Sequence, residues 1–452
     1  MQDATEQSSQ EPKSLLWGDL PSNIRLIVIA SIIGVAVGAA AYVLKEAIAW
    51  LSRGVTIMFD ASSSNAFLLV VPIVGIVLAG VYQRYIIRTG LSHGVDRLSR
   101  DIAAGNPALG PKLTYGPIIV STLTLGFGGS AGSEGPIAYA GAAIGSNIGR
   151  VFGVDRTTLM LLVGCGAGAG IAGIFKAPIG GVLFTLEVLG MAMSTPAVIA
   201  LVAAAVCAST TAYVFSGFTM DLPWTHAPQF VGEMIPWSLL LGVFCALYSV
   251  YYSRVMHRMR RVYERIKNPW LENIAGGIVL AVTVFLFPTL YGEGYQAMGR
   301  IINADFQALF DGSVFYGVHI GRWTLPLLLA GILAVKCFAT SASNSAGGVA
   351  GDFAPTLFAG CIAGLFFATT LNAAFDLGLD AAAFAYIGMA GVMAGAIRAP
   401  LMAFFLTSEM SNGYGYFLPL LIVSVVSYCL TVVISHCLLY TSPSPRDYAA
   451  SR

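Results

Sequence analysis

Two short segments hold most of the chemistry available to this sequence. Gly132-Ser133-Glu134-Gly135-Pro136 and Gly351-Asp352-Phe353-Ala354-Pro355 each follow a Gly/Ser-rich stretch (126–131 and 341–350) and precede an apolar run. Glycine lets the backbone break and turn. Proline suits the first turn of a new helix, where an N–H has no partner anyway. The helix that follows points unpaired N–H groups and the positive end of its dipole at the break. An anion satisfies such donors, and in a membrane they must be satisfied. Two such ends meeting near the midplane would form an anion site without any buried Lys or Arg. Partial charges also bind weakly enough for the ion to leave.

Glu134 is the one carboxylate placed to act on that ion. An acid among apolar neighbours in a membrane is costly and usually functional. At a helix N-terminus it can occupy the anion's own position, and on protonation it loses its charge and swings away, which makes it a gate and a proton acceptor. The plainer alternative is an acid that only stabilises the helix dipole. At the matching position, Asp352 would repel an anion, so it is expected to act as an N-cap, bonding the next turn and facing away from the pore.

A second pair of segments shows that the chain is duplicated. Lys176-Ala177-Pro178 through Thr185 and Glu187 is repeated as Arg398-Ala399-Pro400 through Thr407 and Glu409, 222 residues on. Gly132 and Gly351 are separated by 219. Nearly equal offsets imply two related halves, an organisation common in transporters with interrupted helices. Glu187 and Glu409 are expected to be structural, pairing with backbone N–H groups or nearby side chains. A place on a proton path is their alternative role.

The elements that position these residues must lie in a bilayer. Charged residues make up only 10% of the 452 residues, against about 25% in soluble domains, too few to cover a water-facing surface. Leu26–Leu44 is a charge-free run about long enough to cross a ~30 Å hydrocarbon core. Comparable runs recur at 67–81, 115–127, 159–175, 196–215, 235–253, 274–290, 323–335, 355–371 and 416–435. Several are short or broken by Gly or Pro, which predicts tilted and partial helices. The fold class expected is an all-α integral membrane protein. Residues 1–22 form a polar tail, 23–440 a single membrane domain with halves at about 23–217 and 235–440, and 441–452 a short polar tail.

A net charge of +1 gives no argument for nucleic acid. Residues 254–267 hold seven basic side chains against Glu264, which places this loop in the cytoplasm by the positive-inside rule. A lipid-headgroup site is the alternative reading of the same charges. The N-terminal tail, lacking a signal peptide, is expected on the same side. The seven cysteines sit in or beside apolar runs with no CxxC pair, and are expected to be reduced and apolar in role. No metal site or cofactor is implied. Zinc-protease, nucleophile-elbow and P-loop motifs are absent from the sequence, which argues against an enzyme.

Taken together, these motifs resemble the CLC family of chloride channels and chloride/proton exchangers, over roughly residues 25–440. The 132–136 segment is similar to the family's G-R-E-G-P, with Ser133 in place of Arg. The 351–355 segment is similar to G-x-F-x-P, and the two K/R-A-P segments look like further signatures. The resemblance implies two halves of inverted topology, with broken helices converging on a central chloride. It also implies a homodimer with one pore per subunit, in a plasma or inner membrane. Glu134 would be the external gating glutamate, and the N–H groups of Asp352 and Phe353 would coordinate the anion. The family's first motif, G-S-G-I-P, is matched poorly by Ser92 to Asp96, which puts His93 at the anion in place of a serine. Tyr440, 31 residues after Glu409, would be the pore-lining tyrosine.

Proton-coupled members of that family carry an internal glutamate where this chain has Val188. Valine cannot relay a proton, so channel-like or uncoupled chloride flux is expected, with proton-coupled antiport as the alternative. Fluoride selectivity is a further alternative, although 351–355 looks like the chloride branch. An organic-anion carrier is a remoter one, because no arginine in the break motifs offers a bidentate carboxylate clamp.

Overall fold

A computed structural model describes residues 21–88, 94–220, 222–224, 230–318, 321–411 and 414–440. The first half of the chain folds into α1 (Ser22–Thr56), α2 (Val71–Tyr82), α3 (Gly94–Ala103), α4 (Gly116–Gly126), α5 (Glu134–Val151), α6 (Arg156–Phe175), α7 (Pro178–Leu183) and α8 (Thr195–Phe215). The second supplies α9 (Met234–Glu264), α10 (Pro269–Leu286), α11 (Tyr295–Ile302), α12 (Thr324–Ser345), α13 (Phe353–Phe375), α14 (Ala381–Ile397), α15 (Pro400–Ser411) and α16 (Phe417–Tyr440). Among the described residues, nine helical segments are long and apolar enough to cross a membrane.

The two series match element by element. Asp155 caps α6 by accepting from the N–H groups of Thr157 and Thr158, and Asp380 caps α14 by accepting from those of Ala382 and Ala383. Each of these helices ends on a basic residue in the left-handed conformation, Lys176 at φ 55° and Arg398 at φ 64°. That conformation stops a helix, and the Ala-Pro that follows starts the next one. The same close packing recurs as well. A Cβ on Gly141 would lie 2.3 Å from the Gly166 carbonyl oxygen, and one on Gly360 would lie 2.3 Å from that of Gly388. Only glycine lets α5 approach α6, and α13 approach α14, so closely.

The halves are inverted. α2 starts just beyond Phe67 and Leu68, which line one cavity, and ends at Gln83 and Arg84, which line another. Its counterpart α10, packed against it, runs the opposite way, from Glu272 at the second cavity to Pro288 at the first. Exposed apolar side chains follow the outer faces of α1 (Ile32, Val35, Val43), α8 (Ile199, Val202, Val206) and α9 (Leu239, Leu240, Val243). Such rows suit lipid, whereas α5, α13 and α14 are buried among other helices.

α12 runs further than its apolar run, past Lys336 to Ser345. The polar residues that extend it (Thr340, Ser341, Ser343, Asn344) face the protein interior and are buried there. The six described cysteines form no disulfide.

Candidate functional site

The two glycine breaks meet. Gly132 donates its N–H to the Gly351 carbonyl at 2.9 Å, and Gly351 returns the bond at 2.6 Å, a two-residue antiparallel bridge between the halves. Immediately beyond it, Ser133 and Asp352 occupy the N-cap positions of α5 and α13. Pro136 and Pro355 fall in the first turns, as their missing N–H groups require. Two helix N-termini from opposite halves therefore adjoin deep in the protein. Gly135 sits against this bridge: a Cβ there would be 3.3 Å from the Gly351 Cα.

Glu134 is completely buried. Its Oε1 accepts the Ala354 N–H at 3.0 Å and the Tyr295 hydroxyl at 3.3 Å. A carboxylate of one half thus rests on the N-terminus of a helix of the other, where the dipole and free donors favour negative charge. Its Oε2 is buried without a hydrogen-bond partner among the described residues. The space it fills exists because residue 132 is glycine: a Cβ there would lie 1.9 Å from Oε2.

Three residues that sequence reasoning missed complete the surroundings. Ser133 donates both its N–H (2.9 Å) and its hydroxyl (2.5 Å) to Oε1 of Glu293. Two residues on, at the start of α11, Tyr295 reaches Glu134, so one short segment holds both Glu134 and the residue before it. Gly292 and Gly294, at φ 70° and 88°, give that segment its turn. The third is Lys336, 1% exposed, which donates to the Ser130 hydroxyl at 2.9 Å and lies 5.0 Å from the Phe358 ring centroid. A basic side chain is thus buried near the two helix ends, where a hydroxyl and a ring face partly replace its water. Its signal in the sequence is a single lysine between the apolar run 323–335 and the Ser/Thr/Asn-rich end of the same helix.

One correction concerns Asp352. It stands at the N-cap, but its side chain makes no capping bond. Its Oδ1 accepts instead from the side-chain amide of Asn344, at the end of α12, at 2.5 Å. A donor from a neighbouring helix outcompetes the local N–H groups. Phe353 is buried and meets Phe184 edge-on, with ring centroids 5.7 Å apart. Val188 is half-buried at the end of a π-helical turn (Phe184–Val188) that continues α7. Tyr440 is the last residue of α16, and its side chain lies outside the described residues, as does all of His93.

The family model for the voltage gated chloride channel matches residues 74–432. The chain is 28% identical to a ClcB-like chloride channel protein of Ralstonia nicotianae over 416 residues, covering 89% of this chain and 92% of that protein. It is also 28% identical to the H(+)/Cl(-) exchange transporter ClcA of Vibrio cholerae over 311 residues, 67% of this chain and 62% of that relative. In three dimensions it is similar to a slow cyanobacterial Cl−/H+ antiporter, with a TM-score of 0.76 at 22% identity, over 92% of this chain and 95% of the other.

Proposed function

The chain belongs to the voltage gated chloride channel family, and we propose that it passes chloride and similar small anions through a pore gated by Glu134, without obligatory proton exchange. One observation carries this reading: the Glu134 carboxylate takes the Ala354 N–H at the head of α13, a donor that an anion would otherwise use. Glu134 is then a tethered competitor of the permeating ion. Protonation removes the charge that holds it there, and the side chain swings clear. The N–H groups of Asp352 and Phe353, with His93 and Tyr440, make up the remainder of the proposed anion path.

Absence of proton coupling rests on Val188, which has no group to relay a proton. Glu187 beside it does not substitute, since both its oxygens accept backbone N–H bonds, from Leu401 and Met402. Proton-coupled antiport is the second reading. It is favoured by Glu293, a carboxylate that lines a cavity and grips Ser133 next to the gate, and by the similarity to a relative named as an exchanger. The protein is proposed to work as a homodimer in a plasma or inner membrane, with its N-terminus and the 254–267 loop in the cytoplasm.

The test is a liposome assay following chloride efflux and internal pH together, for the wild type and Glu134→Gln. Chloride flux without driven proton movement, losing its pH dependence in Glu134→Gln, is the expected result. Uphill proton movement in the wild type would establish the second reading. An unchanged pH profile in the variant would remove Glu134 from the gate.

A further inference from the structure

The head of α13 is taken by Glu134, and the head of α5 is taken by a different carboxylate. Ser133, 1% exposed, turns two donors on one point: its N–H at 2.9 Å and its hydroxyl at 2.5 Å both meet Oε1 of Glu293. Donors converging on a single acceptor atom suit a small anion, and a helix N-terminus adds the positive end of its dipole. A Glu293 oxygen fills that place here, through charge-assisted bonds of the strong kind. The Glu134 carboxylate faces the same break. Its Oε2, fully buried and without a hydrogen-bond partner among the described residues, would lie 1.9 Å from a Cβ on Gly132 and 2.8 Å from one on Gly351.

Glu293 also stands on the way in. It lines a cavity of about 610 Å³ whose described wall includes neither Ser133 nor Glu134. The backbone around it is pinned. The Tyr291 hydroxyl donates to the Gly126 carbonyl at 2.7 Å, a Cβ on Gly294 would meet the Phe358 ring at 2.6 Å, and the Tyr295 hydroxyl donates to Glu134 at 3.3 Å. What is left to move is the Glu293 side chain, half-buried at the cavity wall. We infer that Glu293 is a second tethered competitor of the permeating anion, holding the head of α5 as Glu134 holds the head of α13. An ion entering from this cavity exchanges with the Glu293 oxygen at Ser133 before it meets the Glu134 carboxylate, so the two acids are barriers in series. This role deepens the transport reading above and rests on it, and it needs no proton relay through Glu293.

Binding is measured first, by calorimetric titration of chloride into the detergent-purified full chain prepared in gluconate. The proteins compared are the wild type, Glu134→Gln, Glu293→Ala and Ser133→Ala/Glu293→Ala. Glu293→Ala is expected to bind chloride about tenfold tighter than the wild type. Adding Ser133→Ala should remove most of that gain, since the hydroxyl is one of the two vacated donors. Glu293→Gln serves if the alanine variant does not elute as a folded protein, with a smaller gain expected because its amide oxygen still accepts from Ser133. Unchanged affinity overturns the inference. So does a gain that survives loss of the hydroxyl, which would be general relief of negative charge. Chloride flux and internal pH are then followed in liposomes at alkaline pH. Barriers in series predict that Glu134→Gln/Glu293→Ala passes more chloride than either single variant, and a double variant no faster than Glu134→Gln overturns the serial arrangement. Proton movement present in the wild type and lost in Glu293→Gln, with chloride affinity unchanged, would assign Glu293 to a proton path instead. Failure of the transport reading is distinct: no preparation, Glu134→Gln included, would bind or pass chloride. Chloride bound and passed by Glu134→Gln but indifferent to residue 293 sinks the inference alone.

Discussion

Glu187 and Glu409 cap each other's helices. Glu409 accepts the N–H groups of Ile179 (3.0 Å) and Gly180 (2.8 Å) at the start of α7. Glu187 accepts those of Leu401 (3.3 Å) and Met402 (2.8 Å) at the start of α15. Pro178 and Pro400 lead these helices without an N–H of their own, and the next two donors are taken by the carboxylate of the opposite half. This reciprocity explains why the K/R-A-P segment and its terminal glutamate recur together: each serves the other copy.

Removing one side of this clasp should destabilise the protein without touching Glu134. Hydrogen bonds to a charged group contribute about 1.5–3 kcal/mol each, and orphaned buried donors cost further. Glu409→Ala is expected to lower the thermal unfolding midpoint in detergent, with Glu409→Gln recovering part of the loss through its one remaining acceptor. The pH profile of chloride flux should stay as in the wild type. A shifted profile would move Glu409 from a structural role to the proton path.

Gly132→Ala tests the proposed gate at the place where the Glu134 carboxylate rests. The added carbon would fall 1.9 Å from Glu134 Oε2, and the end of a side chain yields more readily than backbone. Gly132 is not among the positive-φ residues, so alanine brings no backbone strain of that kind. The carboxylate is expected to be displaced from the head of α13, raising chloride flux at alkaline pH toward the wild-type acidic level. A variant that folds and keeps the wild-type profile would show that this seat does not control passage.

Much of this arrangement was legible in the sequence, because the breaks, the repeated segments and Glu134 are written in contiguous motifs. Capping of the kind made by Glu187 and Glu409 could also be anticipated, since a glutamate near a proline-led helix has few other uses in lipid. What could not be read comes from elsewhere in the chain. Glu293 and Tyr295 reach Ser133 and Glu134 from about 160 residues away in sequence. Lys336 directly follows an apolar run, where a basic residue ordinarily marks a membrane boundary, and its burial depends on Ser130 and Phe358 from other helices. Asp352 was read from local capping propensity, which has no knowledge of Asn344 on the preceding helix.

Tyr295→Phe removes one of the two protein bonds seen at Glu134 Oε1 while keeping the ring that packs edge-on to Phe175 at 6.5 Å. A hydrogen bond of this kind contributes about 1 kcal/mol, or about fivefold in the closed-to-open ratio. Chloride flux at alkaline pH should rise by about that factor, less than for Glu134→Gln, with pH dependence retained. The difference between the two variants is the informative quantity, because Tyr295 only steadies the charge that Glu134 carries. Equal effects would mean that the hydroxyl, not the carboxylate, is the barrier.

Val188→Glu asks whether one side chain separates passive flux from exchange. The position is half-buried, next to a glutamate whose oxygens are both committed to α15. A new carboxylate at 188 would have no such backbone donors assigned to it and would be free to take up and release protons. The expected outcome is proton movement driven by a chloride gradient in the variant and not in the wild type, read as internal pH in liposomes. The gain requires that Glu134 still accept protons from the other side, so Glu134→Gln/Val188→Glu should abolish it while chloride continues to flow. Proton movement that survives in this double variant would exclude a path through the gate. Equal movement in wild type and Val188→Glu would mean that valine at 188 is no barrier to protons.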